Sequence, residues 1–312
     1  MTTNTILHPS AVSSSRHSAA APAWSYDAAF CRNRGLINSE EQQKLRNSRV
    51  AIAGLGGVGG IHLVTLARLG IGAFHISDPD RFEVANFNRQ YGATTHSLGR
   101  SKAEEMAETV RAINPDADLH VFTEAITPEN VGKFLYGVDV LVDGIDFFAI
   151  EARRLVFREA RRRGIWTVTA GPIGFSTAWL VFDPRGMSFD DYFDLNDGMD
   201  RWEQIIAFAV GLAPRATHLP YLDLSAVDPR SGRGPSASLA CQLCAGVTAA
   251  EIVKILLGRL PIRSAPYFNQ FDAYRGLFRT GRLRWGNRHP MQRLKRWYLR
   301  RRLRTLTLNE RE

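Results

Sequence analysis

The chain has 312 residues, 45% of them apolar and 23% charged, with a formal net charge of +9. This is the make-up of a water-soluble globular protein large enough to close a full core, as one large domain with appendages or as two small ones. Its longest apolar run, Ile205 to Ala213, is half the ~18 residues that a bilayer requires, which argues against a transmembrane segment.

In chain order, residues 1–25 are rich in Ser, Ala, Thr and Pro, lack an apolar stretch and read as a disordered tail rather than a secretory signal. Residues 26–48 read as a helical arm, with Ser39 and Glu40-Glu41-Gln42 as a helix-start signal. The body spans 49–276. Its first strand, Arg49 to Ala53, runs into Gly54-Leu55-Gly56-Gly57-Val58-Gly59 and an apolar-periodic helix from Ile61 to Leu69. A strand, a glycine turn and a helix hold a nucleotide phosphate on the helix N-terminus. One glycine permits the tight turn, one lets backbone N–H groups approach phosphate, and one lets helix and strand pack closely. Alone, the motif most often marks a dinucleotide site, so an NAD(P)-dependent Rossmann oxidoreductase is the first reading. A second strand, Ala73 to Ser77, ends at Asp78, where an acidic residue can hydrogen-bond a ribose hydroxyl.

The next stretch fits a dinucleotide less well. Asp80 to Gln90 is a polar loop that gathers Asn86, Asn88, Arg89 and Gln90 just beyond the strand end, and Lys102 opens the helix Lys102 to Ile113. Arg89 and Lys102 concentrate more positive charge than a pyrophosphate needs, and suit a triphosphate such as ATP. A third strand, Asp118 to Phe122, and a helix near Glu129 to Leu135 precede a fourth strand, Val138 to Val142, which ends in Asp143-Gly144-Ile145-Asp146. Carboxylates beside phosphates call for a cation between them, usually Mg²⁺. The alternation predicts an α/β fold with a Rossmann-like, doubly wound, mostly parallel sheet.

The helix Glu151 to Gly164 carries six arginines, read as its solvent face, and strands at Trp166 to Ala170 and Phe175 to Phe182 come after it. Residues 183–239 form an atypical insert containing a helix from Arg201 to Leu212 and a segment expected to be mobile, Asp228 to Ser236. Such long connections are usually functional, and the expectation is that this one recognises the substrate. Cys241-Gln242-Leu243-Cys244 precedes the helix Ala245 to Leu257 and admits three readings: buried thiols, a nucleophile on a helix N-terminus, or half of a Zn²⁺ site needing Cys31 and His218 to complete it. Three cysteines are too few for a disulfide framework and suit a reducing, cytoplasmic compartment. Residues 277–312 read as a basic tail. Gly276 to Glu312 carries twelve Arg and Lys against two Glu, which leaves the rest of the chain near neutral. Within it, Leu294, Trp297, Tyr298, Leu303 and Leu306 predict a basic amphipathic helix over Met291 to Leu308, suited to RNA, an anionic membrane surface or an acidic partner, or packed on its own body through Trp297 and Tyr298.

The set GLGGVG, DPDRFEVANFNRQ, GRSK with Lys102, and a strand leading to Asp146 resembles the ThiF/MoeB/HesA adenylyltransferases, bacterial relatives of the ubiquitin-activating enzymes, from about Arg32 to about Arg279. The resemblance implies that Gly54, Gly56, Gly57 and Gly59 cradle ATP, that Asp78 and neighbouring Asp80 face the nucleotide with Asp78 on its ribose, and that Asn86, Arg89 and Lys102 meet its phosphates. It implies further that Asp146 engages Mg²⁺ and is needed for adenylation, that the sheet is extended by antiparallel strands closing near Tyr267 to Phe278, and that Arg34, in preference to Arg32, reaches the ATP of the other subunit in a homodimer. The expected reaction activates a carboxylate as an acyl-adenylate with release of pyrophosphate. Its substrate would be a ubiquitin-like carrier, a ribosomal peptide or a small molecule, in sulfur transfer, cofactor synthesis or peptide modification. The alternatives are the oxidoreductase above and a non-catalytic, partner-binding relative. Members of the family often hold zinc with two separated cysteine pairs, and here the second pair is missing.

Overall fold

The computed structural model describes residues 23–223 and 234–308, with side chains through Arg301. Most of the expected tail and of the Asp228 to Ser236 segment therefore lies outside the described residues, as do the side chains of Leu303 and Leu306. The arm begins with α1 (Tyr26–Ala29) and α2 (Ser39–Arg46). Asn38, one residue before the expected Ser39, caps α2: its side-chain oxygen accepts the Glu41 N–H at 2.8 Å, and the Glu41 carboxylate accepts the Asn38 N–H at 3.0 Å. Asn38→Ala should cost ~1 kcal/mol in urea denaturation, the usual value of such a cap.

The body alternates β1 (Arg49–Ala53), α3 (Gly59–Arg68), β2 (Ala73–Ser77), α4 (Lys102–Ile113), β3 (Asp118–Phe122), α5 (Val131–Phe134), β4 (Val140–Asp143), α6 (Ile150–Arg162) and β5 (Trp166–Ile173). It continues with β6 (Ser176–Phe182), α7 (Phe189–Phe193), α8 (Arg201–Leu212), α9 (Ser238–Leu257), β7 (Tyr267–Asp272), β8 (Leu277–Arg282) and α10 (Pro290–Leu308). The strands form one sheet in the order β3-β2-β1-β4-β5-β6-β7-β8, parallel from β3 to β5 and antiparallel beyond. In β1, Val50 and Ile52 enter a core with α3, α4 and α9, while Ala51 enters one with α5 and α6, as the two-residue period of a strand requires when both faces are covered. Sequence order reverses at β1, which lies between β2 and β4, so the crevice at its carboxyl end is the place where such sheets bind ligands.

Four expectations need correction. Helix α9 starts at Ser238 and, at 20 residues with a mean hydropathy of 1.6, is long and apolar enough to cross a membrane; yet Ala240, Cys244, Thr248 and Ile252 are buried against the sheet and α3, so it is a core helix. The sheet runs past residue 276, because β8 pairs with β7 along its whole length and carries Arg279 and Arg282 as an edge strand rather than as part of a tail.

The arginines of α6 are not all on its solvent face. Arg153 and Arg154 are buried, and Arg154 is paired with Asp190 and Asp197 of the insert at 3.0 and 2.6 Å. Finally, α10 packs on α8 through polar residues. Gln292 and Lys295 donate to the carbonyls of Val210 and Pro214 at 2.9 and 2.6 Å, and Arg296 pairs with Asp194 at 2.7 Å. The end of α8 offers carbonyls without helical partners, which attract cations and amides more strongly than aromatic rings. Trp297 and Tyr298 consequently face outward.

Candidate functional site

The carboxyl ends of β1 and β4 approach so closely that side chains are excluded. Gly54 has φ +85°, and a Cβ on Gly54 or Gly59 would overlap the carbonyl of Gly144 or of Gly54 respectively. Gly54 N–H and Gly144 N–H tie the two loops to the neighbouring strands, donating to Ser77 and Ala53 at 2.8 Å each. Helix α3 then begins on Val58 with no side-chain cap and no acidic residue in its first turn. Its N-terminal N–H groups and positive dipole end are available to an anion.

Around this turn the structure gathers most of the expected residues. Asp78 is buried and clamps the loop: one oxygen accepts the Leu55 N–H at 2.6 Å and the other the Asp80 N–H at 2.9 Å. Burial raises its pKa, opposed by those two N–H groups and by the charge of Lys102. Lys102 is itself buried, with its ammonium 3.0 Å from the exposed carboxylate of Asp80. Asn86 is buried and accepts the Glu83 N–H at 3.0 Å, so it shapes the loop that presents Arg89. Arg89 is held by the Ala85 carbonyl and the Asn88 side chain at 2.8 and 2.9 Å, and its stem lies beside Gly57. Gln90, gathered in the same polar loop, is a neighbour of the turn, with its Nε2 3.6 Å from where a Cβ on Gly56 would sit.

Asp146 lies on the loop after β4, exposed, with one oxygen accepting the Phe148 N–H at 2.9 Å. Its position depends on Arg153. That guanidinium donates to Asp143 at 2.7 Å and to the carbonyls of Ile145 and Asp146 at 2.5 and 3.3 Å, and stacks 4.4 Å from the ring centre of Phe208 on α8. Asp143 also accepts from Thr169 at 2.7 Å. Asp143 is thus a buried anchor, and Asp146 is the carboxylate free to meet a ligand. An insert helix, through Phe208 against Arg153 and Phe147, backs this loop, a supporting role beyond the substrate recognition expected of the insert.

Arg34 is not brought to this edge within its own chain. The arm is bonded to the far end of α3, with Asn33 donating to Leu69 and Tyr26 to Gly70. Some 15 Å of helix separates that end from the glycine turn.

The cysteines correct the zinc reading. Cys241 is buried, with its Sγ 3.3 Å from where a Cβ on Gly57 would sit, and Cys244 lies 3.1 Å from the Thr177 hydroxyl. Burial pushes both thiols up, which also disfavours a resting thiolate nucleophile. Cys31 is exposed on the arm, and His218 is half-buried beside the β5–β6 turn, where desolvation pushes its pKa down to about 4. Among the described residues no three His, Cys, Asp or Glu cluster to hold a metal. Mg²⁺ differs: it is commonly held by one or two carboxylates plus substrate phosphates, and a solvent-facing Asp146 beside a phosphate loop fits that donor set.

Three rings that the sequence did not mark, Phe175, Tyr221 and Tyr274, cluster with centres 5.0 to 5.7 Å apart on the same sheet edge, farther along toward β7, Phe175 stacked on Tyr221 and Tyr274 tilted against both.

The sequence matches the ThiF family over residues 30–293. It is 34% identical over 143 residues to the tRNA threonylcarbamoyladenosine dehydratase of Haemophilus influenzae, covering 46% of this chain and 54% of that protein. It is 28% identical over 228 residues to the probable adenylyltransferase/sulfurtransferase MoeZ of Mycobacterium tuberculosis, covering 71% and 51%. The chain spans about half the length of these curated relatives. In fold it is similar to Escherichia coli MccB solved with MccA-N7isoASN (TM-score 0.61, 18% identity, 78% of this chain and 66% of that one). It is also similar to E. coli TcdA in complex with ATP (TM-score 0.55, 24% identity, 75% and 95%).

Proposed function

Since the chain belongs to the ThiF family, we propose that it is an ATP-dependent adenylyltransferase that activates a carboxylate as an acyl-adenylate. The observation that carries this reading is the meeting, at the β1–β4 crevice, of an uncapped helix N-terminus, the cations Lys102 and Arg89, and the exposed carboxylate of Asp146. A substrate carboxylate is already ionised at pH 7 and needs no base. Its oxygen bonds to the α-phosphorus of ATP while the bond from that phosphorus to the β-phosphate bridging oxygen breaks, and the electron pair leaves with pyrophosphate. Catalysis is then positioning and charge neutralisation. The loop N–H groups and Lys102 steady the phosphates, Arg89 faces the developing negative charge, and Asp78 and Arg153 hold the two loops in register. Mg²⁺ on Asp146 would add charge neutralisation on the departing pyrophosphate.

The substrate we favour is a protein or peptide C-terminus. The ring cluster of Phe175, Tyr221 and Tyr274 on the same edge, with Tyr274 68% exposed, offers an extended tail an apolar rest outside the crevice. We further propose a homodimer in which Arg34 serves the partner's site, since its own lies at the other end of α3. Exposed Val84, Phe87, Tyr91 and Leu98 supply apolar surface for such an interface.

Exchange of labelled pyrophosphate into ATP, with candidate carrier and peptide C-termini, tests the reaction; no nucleotide binding would refute it. Mixing Arg34→Ala with Asp146→Asn tests the dimer. Each variant alone should be nearly inactive, and the mixture should recover up to about a quarter of wild-type exchange, because random pairing gives half heterodimers with one intact site each. No recovery, with heterodimers demonstrated, would refute action in trans.

A further inference from the structure

Helix α10 is amphipathic in an inverted sense. At about 100° per residue, Met291, Leu294, Trp297, Tyr298 and Arg301 share one outward arc, whereas Gln292 and Lys295 face the end of α8 and Arg296 faces Asp194 at the end of α7. Met291, Leu294, Trp297 and Tyr298 are 54 to 56% exposed, and so is Trp285 in the turn that leads into the helix. A helix that merely covers its own domain buries such residues and exposes its cations. Most of α10 also lies beyond residue 293, where the family match stops, so the nucleotide fold does not require it.

We propose that this outward face docks on an anionic membrane surface, with Leu294, Trp297 and Tyr298 at the level of the headgroups and flanking arginines such as Arg293 on lipid phosphates. Tryptophan and tyrosine sit well where one end of a ring is apolar and the other wet, and an arginine-rich border adds attraction to acidic lipid. The near-neutral body does not oppose that attraction, because the positive charge is concentrated from Gly276 onward. A second copy is disfavoured as the occupant: a symmetric contact would set two strongly basic segments against each other. RNA could stack on Trp297 and Tyr298 but would leave the aliphatic Met291 and Leu294 of the same arc without a partner, whereas a membrane takes up all four, so RNA is the less favoured occupant.

Flotation of the full chain with vesicles of phosphatidylcholine alone, and of equimolar phosphatidylcholine and phosphatidylglycerol, tests this. The expected result is binding to the acidic vesicles, weakened by high salt, and reduced more than ~10-fold in Leu294→Ser/Trp297→Ser. That double variant should keep wild-type thermal stability and pyrophosphate exchange, since both side chains are exposed and lie outside the nucleotide site. Equal binding to both vesicles, no binding to either, or binding that the double variant retains would overturn the proposal. So would single-stranded RNA binding, or a monomer–dimer shift in light scattering, that the double variant abolishes while vesicles are ignored.

Discussion

Asp146→Asn is expected to lower pyrophosphate exchange ~100-fold or more while ATP still binds, the size of effect that accompanies loss of one preorganised electrostatic group. The geometry makes this a clean substitution. Asn keeps the side-chain oxygen that accepts the Phe148 N–H at 2.9 Å, and Arg153 holds the loop through the backbone carbonyls of residues 145 and 146, so the loop should not move. The substitution removes negative charge from an exposed side chain at the crevice, and with it the place for a cation. If that is the defect, raising Mg²⁺ should restore part of the exchange in the variant and little in the wild type. Exchange within a few-fold of wild type at ordinary Mg²⁺ would remove Asp146 from the reaction. By contrast, Asp143→Asn should register mainly as lost stability, because Asp143 is buried and engaged by Arg153 and Thr169.

The contrast between these two aspartates shows what a linear sequence carries. Both stand at the end of β4, and spacing alone places both carboxylates on the sheet edge. The glycine turn, the polar loop with Arg89, and Lys102 at the start of α4 were equally legible, because each is fixed by a local rule: a positive φ, a loop after a strand, a helix N-terminus. Arg153 was not. Six arginines in α6 look like a solvated face, and nothing near them in sequence says otherwise. The partners that bury two of them come from elsewhere: Asp143 from β4 for Arg153, and Asp190 and Asp197 from the insert for Arg154. The same holds for α10, whose inward face was decided by carbonyls at the end of α8, some 80 residues away. Non-local charge pairing, rather than hydrophobic periodicity, is what hides such residues from a sequence reading.

Arg153→Met should therefore be among the most damaging substitutions in the chain, costing ~3–5 kcal/mol in chemical denaturation. The guanidinium and the Asp143 carboxylate are both almost wholly inaccessible, 3% and 2% exposed, and lie 2.7 Å apart. Methionine replaces the stem but leaves Asp143 as a buried anion with only the Thr169 hydroxyl and the Ile145 N–H for compensation. The cost comes from that uncompensated charge more than from the lost pair. Arg153→Met/Asp143→Leu should consequently recover more than half of the stability, since buried ion pairs are often replaced by packed apolar residues at little net loss. Exchange activity should not recover with it. The Ile145 and Asp146 carbonyls still lack their donor, so the Asp146 loop loses its brace even when the core is sound. A double variant that regains both stability and exchange would confine Arg153 to the core. Stability regained without exchange would mark Arg153 as the residue that positions Asp146 against the nucleotide.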